Sequence, residues 1–339
     1  MTDGRRISYD LKYNGSKFTA DIDPFVMSLS FTDNFTGSAD DLTINLADKD
    51  RIWLGNWMPE KGAAIEAVLI FPPGWGNKST SKRDLGYYEI DESSGGGPPT
   101  TVSIKSTSIP QESSLKGEKK SRSWENTTLK KVLTDVAKKN GLGIYYDAAD
   151  NPSFDRLDQE YESDGAFLYR LCNENGLALK LANKKVYAID EEQLESLDTV
   201  ATINRTDQLV KKWNYKDTLN GSYKSCKVTY TDTQKKRTYK QTFTPSKPPK
   251  TGRVLLVNEE VNSDAAALRL AKKKLREANK EATTVTITMA GIMNLYAGQT
   301  VTIKGFSNLD GKYIITSLSG KTGESSETTL NLRKCLVGY

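Results

Sequence analysis

Five acidic side chains close together in the chain are the strongest candidates for chemistry. They are Asp155, Asp158, Glu160, Glu162 and Asp164. Two carboxyl groups that flank a bound sugar can hydrolyse a glycosidic bond without histidine, one of them acting as the acid. An oxygen-only metal site is a second possibility, although the D-x-D-x-D-G spacing of a calcium loop is missing. A solvated loop leading into a helix, whose N-terminus favours acidic residues, explains the pattern more simply, and we prefer it.

The chain has 339 residues and no histidine, which excludes several kinds of site. Ser-His-Asp and Cys-His catalysis, histidine general bases and histidine-containing zinc sites are all impossible within it. Cys172, Cys226 and Cys335 form no C-x-x-C pair, and their wide spacing predicts buried free thiols in a reducing compartment. We therefore predict that the protein is not an enzyme and has no catalytic residue, no cofactor site and no metal site.

Two further segments resemble binding motifs. Residues 76–80, GNKST, lack the spacing of a phosphate-binding P-loop because Asn77 separates Gly76 from Lys78. Residues 223–240 interleave three tyrosines with six lysines and arginines, which could form a stacking groove for nucleic acid. A two-stranded ribbon with solvated lysines explains the second segment equally well, and the net charge of only +5 favours it. We predict no sequence-specific nucleic-acid partner.

The tryptophans are candidates for protein interfaces, where this residue type is enriched at hot spots. The alternative, which we prefer for most of them, is a partly buried position in the core. The five residues are Trp53, Trp57, Trp75, Trp124 and Trp213.

The sequence predicts no membrane partner. Its longest apolar run, residues 63–71, is interrupted by Glu66 and is far shorter than the roughly 20 residues of a membrane span. No apolar segment follows the first charged residues, so we expect no signal peptide and synthesis in the cytosol.

The elements that would position these residues begin with short strands. Period-2 alternation, the sign of half-buried strands, recurs through the first 110 residues, and this spacing is typical of a small antiparallel barrel or sandwich. The alternating segments are 9–15, 25–33, 40–48, 63–72, 85–93 and 100–106.

A different pattern follows. Leu129, Val132 and Val136 lie on one face of a predicted helix that ends near Gly141. A second helix is predicted from Ser163 to Gly176, followed by a hairpin over residues 177–190. Together these elements predict a small α/β insert.

Strands return after residue 199, with a predicted pair over 223–232 and 235–244 and a helix starting at Ser263. At roughly 150 residues per domain the chain has room for two or three domains. We predict an α+β, mainly β fold, with divisions at residues 1–117, 118–198 and 199–339.

An ordered set of segments resembles the late control gene D proteins of phages, the baseplate hub proteins of contractile tails. No single motif is diagnostic, and the resemblance rests on the succession, which covers the chain from about residue 10 to its end. The segments are GSADDLTINLAD, LGYYEIDES, SWENTTLKKVLTDVAKKNGL, LDQEYESDGAFLYRLCNENGLAL, VNSDAAALRLAKKKLREANKEATTVTITMAG, LYAGQTVTIKGF and LDGKYIITSLSGK.

The resemblance implies that residues 1–117 and 199–339 are two β-barrel units similar to tail-tube subunits, joined by the insert. It implies a homotrimer whose six barrels form a ring and join the hexameric tail tube to the trimeric central spike. Further implied partners are other baseplate proteins and the tape measure protein. The location would be the virion tail baseplate, assembled in the host bacterial cytoplasm, of a phage or a phage-tail-like bacteriocin. The alternative is a tail-associated glycosidase that degrades the cell wall with paired carboxylates.

Overall fold

The computed structural model describes residues 7–73, 79–111, 113–233 and 236–339. In the N-terminal part, strands alternate fully buried apolar residues with partly exposed ones, as the period-2 pattern predicts. Its elements are β1 Ser8–Tyr13, β2 Ser16–Lys17, α1 Thr19–Ile22, a 3-10 turn Asp23–Phe25, β3 Val26–Asn34, β4 Asp41–Ala47, β5 Ala64–Phe71, β6 Ser81–Gly96 and β7 Thr101–Thr107.

The middle part contains the two predicted helices and the predicted hairpin, followed by a short helix that the sequence did not predict. The side chain of Ser163 accepts a hydrogen bond from the backbone of Ala166 at 3.3 Å, an N-cap that starts the second helix. The elements are β8 Lys119–Thr128, α2 Leu129–Lys139, β9 Gly143–Asp147, β10 Ser153–Ser163, α3 Asp164–Glu174, β11 Leu177–Ala182, β12 Lys185–Asp190 and α4 Glu191–Ser196.

The C-terminal part contains one long helix among strands, again capped by a serine, Ser263. Its elements are β13 Ala201–Asn204, β14 Val210–Asp217, β15 Ser225–Asp232, β16 Arg237–Phe243, β17 Val254–Val257, α5 Asp264–Asn279, β18 Thr283–Ala290, β19 Thr300–Lys304, a 3-10 turn Ser307–Leu309, β20 Gly311–Thr322 and β21 Glu327–Lys334.

The mainly β class is confirmed, but the two β units are not separate closed barrels. Among the described residues, one open sheet runs in the order β14-β18-β21-β20-β3-β4-β7-β6-β5-β1-β2, with β19 and β13 beside β20. The long strand β20 connects the two β units. Residues 311–314 pair with β19, whereas residues 317–322 pair with β3 of the N-terminal part. The two parts therefore share one sheet.

Three main hydrophobic cores accompany this sheet. The largest contains residues from both ends of the chain, such as Leu42 and Ile65 with Ile287 and Leu330. A second lies within the insert. The third packs α5 against the small sheet β16-β15-β17 and includes the buried thiol of Cys226. Charged side chains at the borders of these cores form ion pairs that connect different parts of the chain.

Among the described residues, no helix combines the length and the apolar character that a membrane span requires.

Candidate functional site

The five acidic candidates lie on β10 and at the start of α3, and the structure gives the glycosidase hypothesis no support. Asp155 and Glu160 are exposed. Asp158 pairs with Arg156 at 2.9 Å, and Glu162 pairs with Arg170 at 2.6 Å. Each arginine offsets the charge of the carboxylate with which it pairs. Within the described ranges, no three acidic or cysteine side chains come together in a metal-binding group.

The fifth acidic residue, Asp164, is fully buried and has a structural role. Its carboxylate accepts hydrogen bonds from Asn140 at 2.9 Å, Gln159 at 3.0 Å and Ser114 at 2.8 Å, and it pairs with Arg122. Burial raises the pKa of Asp164, but these hydrogen bonds and the charge of Arg122 outweigh it, so the net pKa lies below the usual value. The charged carboxylate joins α3 to the end of α2 and to β8.

The tyrosines of residues 223–240 point into the third core, which supports the ribbon interpretation. Tyr239 is buried, while Tyr223 and Tyr230 pack against the same core. The guanidinium of Arg237 lies 4.9 Å from the centre of the Tyr239 ring and also pairs with Asp264 at 2.9 Å. These rings are therefore not arranged as an open stacking surface for bases.

The tryptophans divide between core and surface. Trp53 is buried, whereas Trp57 is 47% exposed, and the two rings meet edge to face at 5.6 Å. Trp124 stacks on Phe167, and Trp213 meets Phe306 edge to face, both at 5.2 Å between ring centres. These contacts are typical of core packing.

The remaining sequence predictions concern Trp75, the GNKST segment and the cysteines. Trp75 and most of the GNKST segment lie outside the described residues. Cys172 and Cys226 are buried free thiols, as predicted, and Cys335 is partly exposed.

The sequence motifs did not reveal an ionic cluster where the insert meets both ends of the chain. We call it the central junction: Asp33, Asp40, Arg83 and Lys180. Lys180 on β11 of the insert places its Nζ 2.7 Å from Asp33 Oδ1 and 2.8 Å from Asp40 Oδ2. Arg83 on β6 approaches the other oxygen of Asp33 at 3.0 Å. The cluster contains two positive and two negative side chains, so its charges balance.

Arg83 extends the central junction to the C-terminal part. Its guanidinium donates to the carbonyl oxygens of Met293, at 3.1 Å, and Leu295, and its Cζ lies 4.4 Å from the centre of the Tyr296 ring. The backbone N–H of Ala297 donates to Asp33 at 3.1 Å. The N-terminal sheet, the insert and the C-terminal part therefore meet at one set of charges.

Burial governs the electrostatics of the central junction. Burial raises the pKa of Asp40 to about 6, although the nearby Lys180 opposes the shift. Burial lowers the pKa of Lys180, but the charges of Asp40 and Asp33 outweigh it, and the net pKa is raised. Lys180 is thus the cation that keeps Asp40 ionised at neutral pH.

A second cluster, the helix junction, consists of Glu191, Glu195, Arg276, Lys280 and Arg333. Arg333 on β21 pairs with Glu191 at 2.9 Å and with Glu195. Arg276 pairs with Glu195 at 2.5 Å, and Lys280 with Glu191 at 3.3 Å. The cluster holds α4 against α5 and the main sheet. Removing one member of such a buried pair typically costs about 3–5 kcal/mol.

A signal for the central junction was present in the sequence. Asp33 lies in phase with Leu29 and Phe31, which are buried on the same face of β3. A carboxylate on the apolar face of a strand requires a partner, because an unpaired buried charge is strongly unfavourable. Local pattern does not identify that partner, since Lys180 is 147 positions away.

Comparison with known proteins provides independent evidence on the family of this chain. The sequence profile of the phage tail baseplate hub (GPD) family matches residues 109–324. The probable baseplate hub protein of Escherichia phage P2 is 31% identical over 173 residues, or 50% of this chain and 41% of that protein. That of Escherichia phage 186 is 28% identical over 181 residues, or 53% and 44%. The matched part thus spans less than half the length of either relative.

A solved structure shows the same fold over nearly the whole chain. The tail protein from Neisseria meningitidis MC58 superposes with a TM-score of 0.72 and 15% sequence identity, covering 97% of both chains. At this level of identity the likeness concerns the fold alone.

Proposed function

Since this chain belongs to the phage tail baseplate hub family, we propose that it is the structural hub of a contractile tail. In this role it joins the hexameric tail tube to the trimeric central spike as a homotrimeric adapter. The particle is a phage or a phage-tail-like bacteriocin, and the location is its tail baseplate, assembled in the host bacterial cytoplasm. The family match over residues 109–324 carries the proposal.

The geometry supports an adapter that works by shape. The pairing of β3 with β20 places both β units in one sheet, so neither unit can rotate without breaking hydrogen bonds of that pair. The central junction joins the insert to the same sheet. In a closed ring, each subunit contacts the next through the same pair of different surfaces. The ring closes only if every subunit has the same fixed shape.

The proposed partners are two further copies of this chain, the tail tube protein, the central spike protein, other baseplate proteins and the tape measure protein. The proposed role involves no membrane, no sequence-specific nucleic acid, no cofactor and no metal. It also involves no catalysis. Among the five acidic residues, two pair with arginines, two are exposed and one is buried, and this arrangement offers no support for a glycosidase. We keep 1–117, 118–198 and 199–339 as the proposed divisions of the chain.

The mass of the purified protein in solution, measured by light scattering alone and with tube and spike proteins, tests this proposal. We expect a mass of three times 37.6 kDa for the free protein, or three copies of this chain within the complex that forms with the partners. Negative-stain images should then show a ring with a near-sixfold outline. A protein that stays monomeric with both partners present, and that cleaves peptidoglycan, would contradict the proposal and favour the glycosidase.

A further inference from the structure

A large cleft separates the N-terminal sheet from the insert. Its volume is about 920 Å³. One wall consists of Asn14, residues 60–63 and Glu89. The other consists of the end of α2, the turn at Lys184 and six residues before or within β8, namely Pro110, Ser113, Ser114, Lys116, Glu118 and Lys120.

Lysines dominate the charge of the cleft. Lys61, Lys116, Lys120, Lys139 and Lys184 line it. Lys120 and Lys139 are engaged with acidic residues of the insert, at 3.3 Å from Glu118 and 3.1 Å from Asp135.

Two lysines on opposite walls have no such engagement. Lys61 and Lys116 are exposed and form no ion pair with any residue in the described ranges. Lys184 lies 4.2 Å from the centre of the Tyr87 ring. With five lysines against Glu60, Glu89 and Glu118, the cleft lining carries a net positive charge.

Three residues that line the cleft are held in place by a buried carboxylate of the insert, and we call them its floor. Ser114, Lys120 and Asn140 line the cleft, and all three contact the fully buried Asp164. Backbone at Gly62 and Gly141 borders the opening, and no atom lies within 4 Å of a side chain added there. A bound chain could thus approach the walls closely without moving the floor, which reduces the cost of ordering on binding.

The composition of the lining indicates the class of ligand. Grooves for nucleic acid combine positive charge with aromatic rings on which bases stack. The described lining has no aromatic residue, and Glu60, Glu89 and Glu118 stand among its lysines. These carboxylates would repel a continuous row of phosphates, whereas a protein segment can place its own charges between them. We propose that this cleft binds an acidic segment of a partner protein, with Lys61 and Lys116 pairing its carboxylates.

Peptide binding to the full chain tests this inference without assuming the hub role. The probe is a fluorescein-labelled octaglutamate peptide, followed by fluorescence anisotropy at 50 mM and 200 mM salt. We expect Lys61→Glu/Lys116→Glu to weaken binding by about tenfold, because each change replaces an attraction with a repulsion. The matched control is Lys247→Glu/Lys250→Glu, which alters net charge equally at two exposed lysines outside the cleft. It should bind within about twofold of the wild type.

Every outcome decides for or against the cleft. Equal weakening by both double variants would show that the peptide senses only total charge, and no binding to the wild type at 50 mM salt would equally overturn the proposal. Tighter binding of an octathymidylate, lost in the cleft variant, would assign the cleft to nucleic acid instead. Should the glutamate variant fail to fold, Lys61→Gln/Lys116→Gln removes the charges without reversing them and should still weaken peptide binding.

Discussion

Replacing Lys180 with methionine should destabilise the protein by about 3–5 kcal/mol at pH 8, the usual cost of removing one partner of a buried ion pair. Arg83 remains 3.0 Å from Asp33, so the carboxylate left without a cation is Asp40. That residue is only 5% exposed, and its remaining donor is the backbone N–H of Asn34 at 2.7 Å. Burial therefore limits the access of water to the carboxylate that Lys180 leaves behind.

The pKa of Asp40 sets the pH dependence of this effect. In the wild type it rises from the usual 3.8 to about 6, so protonating the carboxyl at pH 8 costs about 3 kcal/mol while Lys180 is present. Losing Lys180, which opposes the shift, should raise this pKa further in the variant. In the wild type, the folded state binds this proton more tightly than the unfolded chain, so the contribution of Asp40 to stability falls as pH rises from about 4 to about 6. At pH 5 the carboxyl of the variant is already neutral, and the loss of stability should be less than half its value at pH 8.

Urea unfolding followed by tryptophan fluorescence measures the effect. The control is Lys185→Met, an exposed lysine on the neighbouring strand β12, which should change the free energy of unfolding by less than about 0.5 kcal/mol. Adding Asp40→Asn to Lys180→Met should recover part of the loss, because the amide oxygen can still accept from Asn34. A Lys180→Met protein as stable as the wild type at pH 8, or a loss that is independent of pH, would refute this reasoning.

Three further predictions follow from other buried groups. Arg333→Met should lower the free energy of unfolding by about 3 kcal/mol or more, since Glu191 and Glu195 lose their shared cation, and urea unfolding measures the loss. Trp53→Ala should cost about 3–5 kcal/mol in the same assay, whereas Trp57→Ala should cost less than about 1 kcal/mol because that ring is half exposed. Burial raises the pKa of Cys172 to about 12, so its thiol should stay unreactive towards a disulfide reagent at pH 8 until the protein is unfolded, as mass spectrometry would show.

A specific result would contradict each of these predictions. Equal stability of the Arg333→Met protein would mean that the helix junction contributes nothing net, and equal costs for the two tryptophan variants would contradict the difference in their burial. Rapid labelling of Cys172 in the folded protein would show that the second core opens readily.

Many of the elements followed from local features of the sequence. Ser163 and Ser263 each cap a helix at its expected start, because a serine oxygen satisfies backbone N–H groups within three residues. The alternation of β3 and β4 predicted the strands and their buried faces, since successive side chains point to opposite sides. Family resemblance added what pattern could not, namely that the succession of elements belongs to a hub protein.

The sharing of one sheet by the two β units was not predictable. The pairing of residues 29–34 with residues 317–322 joins strands almost 290 positions apart, and each strand has the same alternation that a separate barrel would require. Alternation specifies which face is buried, but it does not specify the neighbouring strand.

The sequence by itself thus determined the α+β class, the capped helices, the absence of histidine chemistry and the family. Tertiary structure alone decided that Asp33 and Asp40 meet Lys180, that Asp158 and Glu162 pair with arginines while Asp164 is buried, and that lysines of two walls line one cleft. The physical reason is one of range. Capping and alternation act over a few residues and can be read locally, whereas ion pairs and clefts acquire their energy from burial that exists only once distant segments have packed.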